Sequence, residues 1–567
     1  MSRLSSSLGE EPGPGVPATV RQALIAVRWL GASLTPVARG VLDNWPETAG
    51  AVIRAARDTA AAAAATGVFG ADHPAANPVL PATDDRRFRD RAWTEHRYFH
   101  LLQQAYLLSD RLAHEVVDSA GLSAAPHRRA HLAVQLLSEA VAPTNTVLGN
   151  PEVLRRAVRS RGRSLLRGMR NASEDVRHNH GRPRQVPASA FALGRDLAAS
   201  PGRVVLRTPL LELIQYEPQT PAVHRIPLLI SPPWVNKYYG LDLSPGRSLV
   251  EWAIKHGHTV FAISYRNPGR DLRDVTLADY MLSGLLGACE AALDITGSPQ
   301  LNLLGACNGG TLVVMLQAWL AAGRDRRVRS TTLLNTYVDF SDIGVWGALA
   351  DDHTLAAGER IMTERGYVEG HTLALLFDLL RGKDLYWHYF ARNWLMGESP
   401  PPFDLLAWNN DTTNVTAAAH HDYVHDLALH NKLASGDWEV AGRTLRLDRA
   451  RQDAFVVAAR NDHIVPWPSA YSGARQLAGD VRFCLSSGGH VAGVVNPPHP
   501  KASHWSADTL PDDPARWLDR AQLRKESWWL PWVGWLSERA GERAEPPPMG
   551  SDRYPAGAPA PGSYIHL

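Results

Sequence analysis

An apolar run, a glycine-rich turn and a second apolar run follow one another at residues 301–314, and this stretch constrains the 567-residue chain more than any other. The turn reads Gly305-Ala-Cys307-Asn-Gly-Gly. A strand that passes through Gly-x-Cys-x-Gly into a helix holds the central side chain on a strained bend at the end of a sheet. A Cβ on Gly305 or Gly309 would collide with neighbouring backbone. The pattern predicts a nucleophile elbow centred on Cys307.

The region around this elbow alternates short apolar runs with helical patterns, which is typical of βαβ units and a parallel sheet. Together with the elbow, this order predicts an α/β-hydrolase fold with a mostly parallel central sheet and helices on both faces. The predicted strands are 204–208, 211–216, 227–230, 259–264, 301–304, 330–335, 454–458 and 482–485. The predicted helices are 248–256, 277–296, 310–322 and 468–477.

The rest of the chain suggests three further regions. Amphipathic spacing at 20–67, 88–122 and 128–169 predicts a mostly helical N-terminal domain over residues 1–200, of which 1–20 are expected to be disordered. The catalytic domain is expected over 201–540, with a mostly helical cap inserted at about 340–439 because no strand pattern is clear there. Residues 541–567 form a Pro- and Gly-rich tail.

The elbow of this fold needs an acid and then a histidine further along the chain. Asp462 follows the strand predicted at 454–458, and His490 follows the last predicted strand behind Gly488 and Gly489. His463 is a second candidate for the base because it neighbours Asp462, whereas His490 fits the expected order better. Asp462 could instead be a helix N-cap or a turn residue.

The chemistry expected of these residues is acyl transfer. His490 would remove the thiol proton, and the thiolate would attack an acyl carbonyl. The helix N-terminus would favour the thiolate, and the backbone N–H of Asn308 would be the first oxyanion donor. A cysteine suits a thioester substrate, because exchange between thioesters leaves the acyl group available for transfer.

Composition limits the other possibilities. The formal net charge of +2 gives no reason to expect nucleic acid as a partner. Three cysteines, no secretory leader pattern and no apolar run that would span a bilayer predict a cytoplasmic protein without a transmembrane segment. Cys289 and Cys484 are expected to be core thiols. No metal site is predicted.

Several motifs together resemble the polyhydroxyalkanoate synthases of the single-subunit classes, over roughly residues 85 to 567. The segment 227–243 contains Pro-Pro-Trp234-Val235-Asn-Lys-Tyr-Tyr and looks like the family signature before the substrate site. The other matching segments are 87–93, 142–145, 265–268, 305–310, 408–414, 462–467, 489–498, 527–529 and 560–564.

The resemblance implies polymerisation of (R)-3-hydroxyacyl-CoA into polyester with release of CoA. It implies a Cys307–Asp462–His490 triad, with Asp462 also helping to activate the 3-hydroxyl group, and a second oxyanion donor from backbone near Trp234 and Val235. It further implies a homodimer, attachment to polymer granules, and no cofactor, since CoA arrives with the substrate.

Two other functions compete with this interpretation. One is a thioesterase or ester hydrolase that uses the same three residues, and the other is a non-catalytic granule-coat or scaffold protein. The long insertion and the 18 tryptophans favour a covered, dry site of the kind a transferase needs. The intact order of cysteine, acid and histidine argues against a scaffold. A cofactor enzyme is disfavoured because no phosphate-binding glycine motif occurs at a suitable strand-to-helix turn.

Overall fold

The structure is a computed structural model that describes residues 18–65, 79–349, 362 and 364–567. These residues form two compact units. The helical unit comprises the described residues up to Gln185, those of Gly347–Ala357, and Leu375–Pro400. The sheet unit comprises Val186–Trp346, the described residues of Gly358–Ala374, and Pro401–Leu567. Of the residues expected to be disordered, 1–17 lie outside the described part, whereas 18–20 belong to a helix.

The helical unit follows the predicted helical stretches but divides them. The first stretch ends one helix at Asp43 and begins the next at Trp45, because the Asn44 side chain bonds the carbonyls of Gly40 and Ala120. Its helices up to residue 185 are α1 (Ala18–Asp43), α2 (Trp45–Ala65), α3 (Ala92–Glu95), α4 (Arg97–Ser119), α5 (Ala124–Ala140), α6 (Pro151–Arg159) and α7 (Arg163–His178).

Apolar side chains hold α1, α4 and α5 together. Val37 of α1, Val117 of α4 and Val134 of α5 belong to one buried cluster. Gly40 allows α1 to approach closely, since a Cβ there would lie 2.1 Å from the Ala120 carbonyl oxygen. The hairpin of α4 and α5 is therefore packed on one side by α1.

The sheet unit is built on one large sheet. Its strands lie in the order β1-β2-β4-β3-β5-β6-β11-β12-β13-β14, with β15 paired to β3. The pairs from β4 through β12 are parallel, and the outer pairs and β15 are antiparallel. The strands are β1 (Gly202–Arg207), β2 (Leu211–Tyr216), β3 (Val223–Ser231), β4 (His258–Tyr265), β5 (Leu301–Ala306), β6 (Val328–Leu334), β7 (Tyr367–Val368), β8 (Val415–Thr416), β9 (Glu439–Val440), β10 (Arg443–Thr444), β11 (Asp453–Ala459), β12 (Val481–Ser486), β13 (His504–Ser506), β14 (Gln522–Arg524) and β15 (Arg543–Ala544).

All eight predicted strands are present, and the α/β-hydrolase fold with its mostly parallel sheet is confirmed. The sequence missed β13, β14 and β15, which are two or three residues long and carry no apolar run. Every residue of β14 is exposed, so no hydrophobic pattern could reveal it. The central strands were visible because parallel strands covered on both faces read as continuous apolar runs.

Most helices that follow residue 186 belong to the sheet unit, and those within Leu375–Pro400 belong to the helical unit. The predicted helix at 277–296 is divided by a π-helical stretch, Tyr280–Leu286. The α-helices are α8 (Leu249–Lys255), α9 (Leu277–Asp279), α10 (Gly287–Thr296), α11 (Asn308–Ala322), α12 (Gly370–Leu380), α13 (Gly382–Leu385), α14 (Trp387–Tyr389), α15 (Asp404–Asn410), α16 (Ala417–Asp422), α17 (Lys432–Ser435), α18 (Trp467–Ala474), α19 (His490–Val494), α20 (Pro514–Arg520) and α21 (Trp529–Ser537). Two more π-helical stretches are Phe390–Leu395 and Tyr423–Leu429, and the 3₁₀ turns are Arg86–Phe88, Pro143–Asn145, Tyr238–Gly240, Arg270–Leu272, Gly344–Ala348, Leu447–Arg449 and Tyr564–His566.

The segment predicted as one helical cap, 340–439, differs from that expectation in two ways. It contains a two-stranded antiparallel ladder of β7 and β8, two residues each, within a segment that was predicted to be mostly helical. Its residues Leu375–Pro400 belong to the helical unit, where Asp378 accepts a hydrogen bond from Arg182 at 2.6 Å. Helical periodicity shows that a face is buried but not which core buries it.

The Pro- and Gly-rich tail belongs to the sheet unit. The Tyr564 hydroxyl donates to the Thr208 carbonyl at 2.7 Å, and Glu212 accepts from the backbone N–H groups of Ser563 and Tyr564. Ile565 is buried in the same hydrophobic cluster as the tryptophans of α21. Proline and glycine limit regular secondary structure in the tail to β15 and one 3₁₀ turn, but they do not prevent packing.

No helix in the described ranges has both the length and the hydrophobicity needed to cross a bilayer.

Candidate active site

Cys307 lies on the bend between β5 and α11. Its backbone has φ 52° and ψ −126°, a strained conformation for a residue with a side chain. The Cys307 N–H donates to the Leu334 carbonyl at the end of β6, at 2.8 Å, which holds the bend against the neighbouring strand. Backbone strain that surrounding structure maintains in this way is characteristic of a nucleophile elbow.

The glycines beside Cys307 are required by close packing, as the sequence predicted. A Cβ on Gly305 would lie 2.4 Å from the Cα of Gly310, and one on Gly309 would lie 2.2 Å from the Pro232 carbonyl oxygen. The loop after β3 therefore rests directly on the first turn of α11.

Asp462, His490 and Cys307 form a hydrogen-bonded line. Nδ1 of His490 lies 2.6 Å from Oδ2 of Asp462, and the same imidazole interacts with the Cys307 side chain. Oδ1 of Asp462 accepts from the backbone N–H groups of Ile464 at 2.8 Å and Val465 at 2.9 Å. Both carboxylate oxygens are thus engaged, and the side chain of Asp462 is 0 % exposed.

These contacts set the protonation of His490. Burial alone would lower its pKa, but the neighbouring charges and hydrogen bonds of Asp462 and Cys307 outweigh burial and raise the pKa well above the ordinary value. An imidazole held between a carboxylate and a thiol is therefore stabilised as the cation that a Cys307 thiolate would require.

Asn335, Trp528 and Trp529 fix the position of His490. None of the three was predicted to be a site residue. The Asn335 side chain, after β6, donates to the His490 carbonyl. The indole N–H groups of Trp528 and Trp529 donate to the carbonyls of Gly493 and Val494 in α19, at 2.8 and 3.0 Å. Asn335 directly follows a central strand, and this position in the sequence could have indicated that it belongs to the site. The Ser527-Trp-Trp motif was noticed without a function.

His463, the second candidate base, neighbours Asp462 along the chain but does not occupy this line. The carboxylate of Asp462 is directed at His490 and at two backbone N–H groups. The geometry therefore favours His490 over His463 as the group that exchanges a proton with Cys307.

The predicted oxyanion donors lie next to one another, in an arrangement that the sequence did not anticipate. Asn308 is the first residue of α11, so its backbone N–H is directed out of the helix. Its side-chain Oδ1 accepts the backbone N–H of Trp234 at 3.1 Å, and the residue is buried. The predicted role of Asn308 involves only its backbone, but its side chain also ties the elbow to the loop after β3. That Trp234 or Val235 supplies a second oxyanion donor stays a prediction.

Segments 234–240 and 408–414, both recognised as motifs, hold each other in place. Trp408 Nε1 donates to the Lys237 carbonyl at 2.8 Å, and the Tyr239 hydroxyl donates to Asp411 at 2.8 Å. The Thr413 hydroxyl donates to the Val235 carbonyl. Burial lowers the pKa of Lys237 and raises that of Asp411. The motif residues thus fix the loop that carries the predicted oxyanion donor.

Four aromatic rings pack against one another, and one of them interacts with Cys307. Trp234 packs against Tyr280 and Tyr423, with ring centroids 5.5 and 5.8 Å apart, and Phe340 packs against Tyr423 at 5.6 Å. Tyr423 belongs to the inserted segment and interacts electrostatically with Cys307. Burial raises the pKa of the Tyr423 phenol, so the ring that the insertion brings to the sulfur stays neutral.

The other two cysteines are inert by comparison. Both are buried, and burial raises their thiol pKa values, to about 12 for Cys289. A thiol in such surroundings stays protonated and unreactive. The prediction that Cys289 and Cys484 are core thiols is confirmed.

Comparison with protein families gives two matches. Residues 84–253 match the model of the poly-beta-hydroxybutyrate polymerase (PhaC) N-terminus, and residues 246–497 match the alpha/beta hydrolase fold. The second match spans all three residues of the hydrogen-bonded line.

Individual relatives are similar over most of the chain. The chain is 40 % identical to poly(3-hydroxyalkanoate) polymerase 1 of Ectopseudomonas oleovorans, with 86 % of this chain and 87 % of the relative covered. It is 40 % identical to a poly(3-hydroxyalkanoate) polymerase of Methylorubrum extorquens, with 86 % and 82 % covered. It is 39 % identical to the polymerase subunit PhaC of Cupriavidus necator, with 85 % and 83 % covered.

Proposed function

The chain belongs to the poly(3-hydroxyalkanoate) polymerase family, and from this premise we propose that it polymerises (R)-3-hydroxyacyl-CoA through a thioester on Cys307. The observation that carries the proposal is the line from Asp462 through His490 to a cysteine on a strained elbow. A thiol, a base and an acid in this order are the components of acyl transfer through a covalent intermediate.

Acylation begins when the Cys307 sulfur attacks the thioester carbonyl of the substrate and its proton passes to His490. The negative charge on the carbonyl oxygen is stabilised by backbone N–H groups, of which that of Asn308 is the first. The carbon–sulfur bond to CoA then breaks, and the CoA sulfur takes the proton from His490. The products are free CoA and an acyl group on Cys307.

Chain growth uses the same groups in the opposite sense. A 3-hydroxyl group gives its proton to His490 as its oxygen attacks the acyl thioester on Cys307. The carbon–sulfur bond to Cys307 breaks, an ester forms, and the cysteine recovers its proton from His490. Asp462 orients the imidazole and stabilises its positive charge. Because the Asp462 side chain is fully buried here, direct contact between it and the 3-hydroxyl is less well supported than this orienting role.

Transfer rather than hydrolysis is supported by the aromatic surroundings of the thiol. Trp234 and Phe340 pack against Tyr423, which interacts electrostatically with Cys307, and aromatic rings there would limit the access of water to an acyl group on the sulfur. A cysteine thioester also keeps the acyl group activated for a second nucleophile. The competing thioesterase function would need water to reach the same carbonyl.

The proposal includes the partners expected from the family. The chain needs no cofactor for this reaction, because CoA enters as part of the substrate and leaves as product. We expect a homodimer bound at the surface of cytoplasmic polymer granules. Light scattering on active enzyme tests the dimer, and a fully active monomer would refute it. Recovery of the protein from the medium rather than with granules would refute the localisation.

The decisive experiment incubates purified protein with 3-hydroxybutyryl-CoA and, separately, with a medium-chain analogue. Free thiol and insoluble polymer are followed in the same sample. We expect thiol release in step with polymer mass. Thiol release accompanied only by free 3-hydroxy acid would establish a thioesterase instead.

Trapping the intermediate distinguishes the nucleophile from the other thiols. After a brief reaction with labelled substrate, mass spectrometry should find the acyl group on the peptide that contains Cys307. The Cys289→Ala variant is the matched control and should still be labelled. Labelling that persists in Cys307→Ala would overturn the assignment.

A further inference from the structure

A cluster of histidines and a carboxylate lies in the helical unit, between α4 and α5. Asp118 occupies the last turn of α4, and His127 and His131 lie one turn apart on α5. Oδ1 of Asp118 is 2.9 Å from Nε2 of His127 and 2.8 Å from Nε2 of His131, and the two Nε2 atoms are 3.3 Å apart. Three potential ligand atoms therefore face a common point.

We propose that Asp118, His127 and His131 form a binding site for a divalent zinc ion. Zinc binds imidazole nitrogen and carboxylate oxygen at about 2.0–2.2 Å with tetrahedral angles, so its ligand atoms lie roughly 3.3 Å from one another. The Nε2–Nε2 separation already has this value. The carboxylate oxygen would need to move outward by about half an ångström. Asp118 is exposed and can make that adjustment.

His114 supplies the support that a zinc-bound imidazole requires. Its Nδ1 lies 2.7 Å from Nδ1 of His131, on the side of the His131 ring away from Asp118, and the two rings are stacked. A proton on His131 Nδ1 shared with His114 leaves Nε2 free to bind a metal. Zinc-bound histidines are commonly held by such a hydrogen bond on the other ring nitrogen.

The site is open to solvent and local in the chain. The side chains of His127 and His131 are 36 % and 28 % exposed, so a metal ion could enter and keep a water molecule as its fourth ligand. The ligands come from two consecutive helices joined by residues 120–123. A bound ion would tie the end of α4 to the start of α5 and stabilise the hairpin. The site has no part in the thioester chemistry proposed above.

The sequence contains a spacing pattern typical of a metal site, but the large number of histidines makes it hard to recognise. His114 and Asp118 are four residues apart, as are His127 and His131, and both pairs lie on helices. Residues four apart on a helix lie on the same face. Among 23 histidines these pairs do not stand out. The sequence does not show that α4 and α5 are neighbours, and so it predicts no metal site.

The test measures zinc binding to full-length protein that carries no histidine tag and has been stripped with a chelator. Titration against a chromophoric zinc indicator should show one ion that is lost in the His127→Ala/His131→Ala double variant. Asp118→Asn should weaken binding by at least about tenfold, and His114→Ala by about tenfold through loss of its support for His131. Cobalt added instead should give the visible absorption of a tetrahedral site.

The matched control is the His421→Ala/His425→Ala variant. It removes the same number of histidines at the same spacing, from a stacked pair with ring centroids 4.4 Å apart. This control should keep the ion, and zinc should raise the melting temperature of the control and native proteins but not of the His127/His131 variant. Equal zinc binding by the two double variants, or a variant effect seen equally without zinc, would overturn the proposal.

Discussion

The two units each place imidazole against a carboxylate, and the two arrangements differ in burial and in what surrounds the carboxylate. In the sheet unit, one histidine meets Asp462, whose side chain is fully buried and also accepts two backbone N–H groups. In the helical unit, two histidines share a single oxygen of Asp118, whose side chain is 59 % exposed.

The difference fits the two functions that we propose for these histidine–carboxylate contacts. Backbone donors and burial fix the Asp462 carboxylate in one orientation, and the imidazole that it holds also interacts with Cys307. Around Asp118, two imidazole nitrogens converge with the carboxylate on one point and are open to solvent. The first arrangement suits the proton transfer that we propose for the sheet unit, and the second suits the proposed cation site.

The largest effect should come from removing the sulfur. We expect Cys307→Ala to lower the rate of CoA release by at least about 10⁴-fold, because no other group can carry the acyl intermediate. Steady-state assay of thiol release measures this, with Cys289→Ala as the matched control. If Cys307→Ala kept more than about a tenth of the activity, Cys307 would not be the nucleophile and the proposed catalytic role of the sheet unit would fail.

The next effect separates the histidine in the line from the one beside it. His490→Ala should lower kcat by about 10³-fold or more, since the thiol loses its base, whereas His463→Ala should lower it far less. The measurement is kcat for both variants at saturating substrate. A reversed ranking would make His463 the base. The contact between Asp462 and His490 would then have no catalytic role.

Replacing the carboxylate of Asp462 tests directly whether its buried contact with His490 serves catalysis. Asp462→Asn keeps the shape of the side chain but loses the charge that stabilises the His490 cation, and we expect about a 10²-fold loss of turnover. If Asp462 also assists the 3-hydroxyl, single-turnover acylation should survive better than chain growth. Equal losses in both steps would leave Asp462 with the orienting role alone.

Asn308 should have a smaller effect. Its side chain accepts the Trp234 N–H and so ties the elbow to the loop after β3. We expect Asn308→Ala to lower kcat/KM by about tenfold through a loosened oxyanion site. Asn308→Asp keeps the acceptor but places a negative charge beside the sulfur, so it should lower kcat further. Unchanged kinetics for Asn308→Ala would mean that only its backbone matters.

The smallest effect concerns the pH dependence of stability. The folded-state pKa of His490 is raised above its ordinary value, so its stabilising contribution is fully present below about pH 6.5 and is lost as pH rises through the raised value. The native protein should therefore exceed Asp462→Asn in free energy of unfolding by a larger margin at pH 6 than at pH 9. Urea unfolding at both values measures this. A difference that grew with pH would contradict the assigned direction.

Much of the sheet unit could be predicted because its signals are local. The central strands are continuous apolar runs, and the elbow needs glycine on both sides of Cys307 for steric reasons that the sequence displays. Asp462 and His490 could be placed because parallel strands deliver their following loops to one edge of the sheet. The supporting groups, Asn335 and the two indoles of Trp528 and Trp529, were not assigned to the site because their contacts span about 35 to 155 residues.

The sequence by itself determined the fold class, and it predicted the nucleophile and the order of the residues that serve it, because apolar periodicity, backbone sterics and chain order are written in local patterns. Only the tertiary structure decided that the Asn308 side chain bonds Trp234 and that two helical His/Asp pairs converge on one point. It also decided that residues 375–400 belong to the helical unit. These are contacts between distant or separately folded segments, and side-chain position in space is set by packing rather than by any local preference.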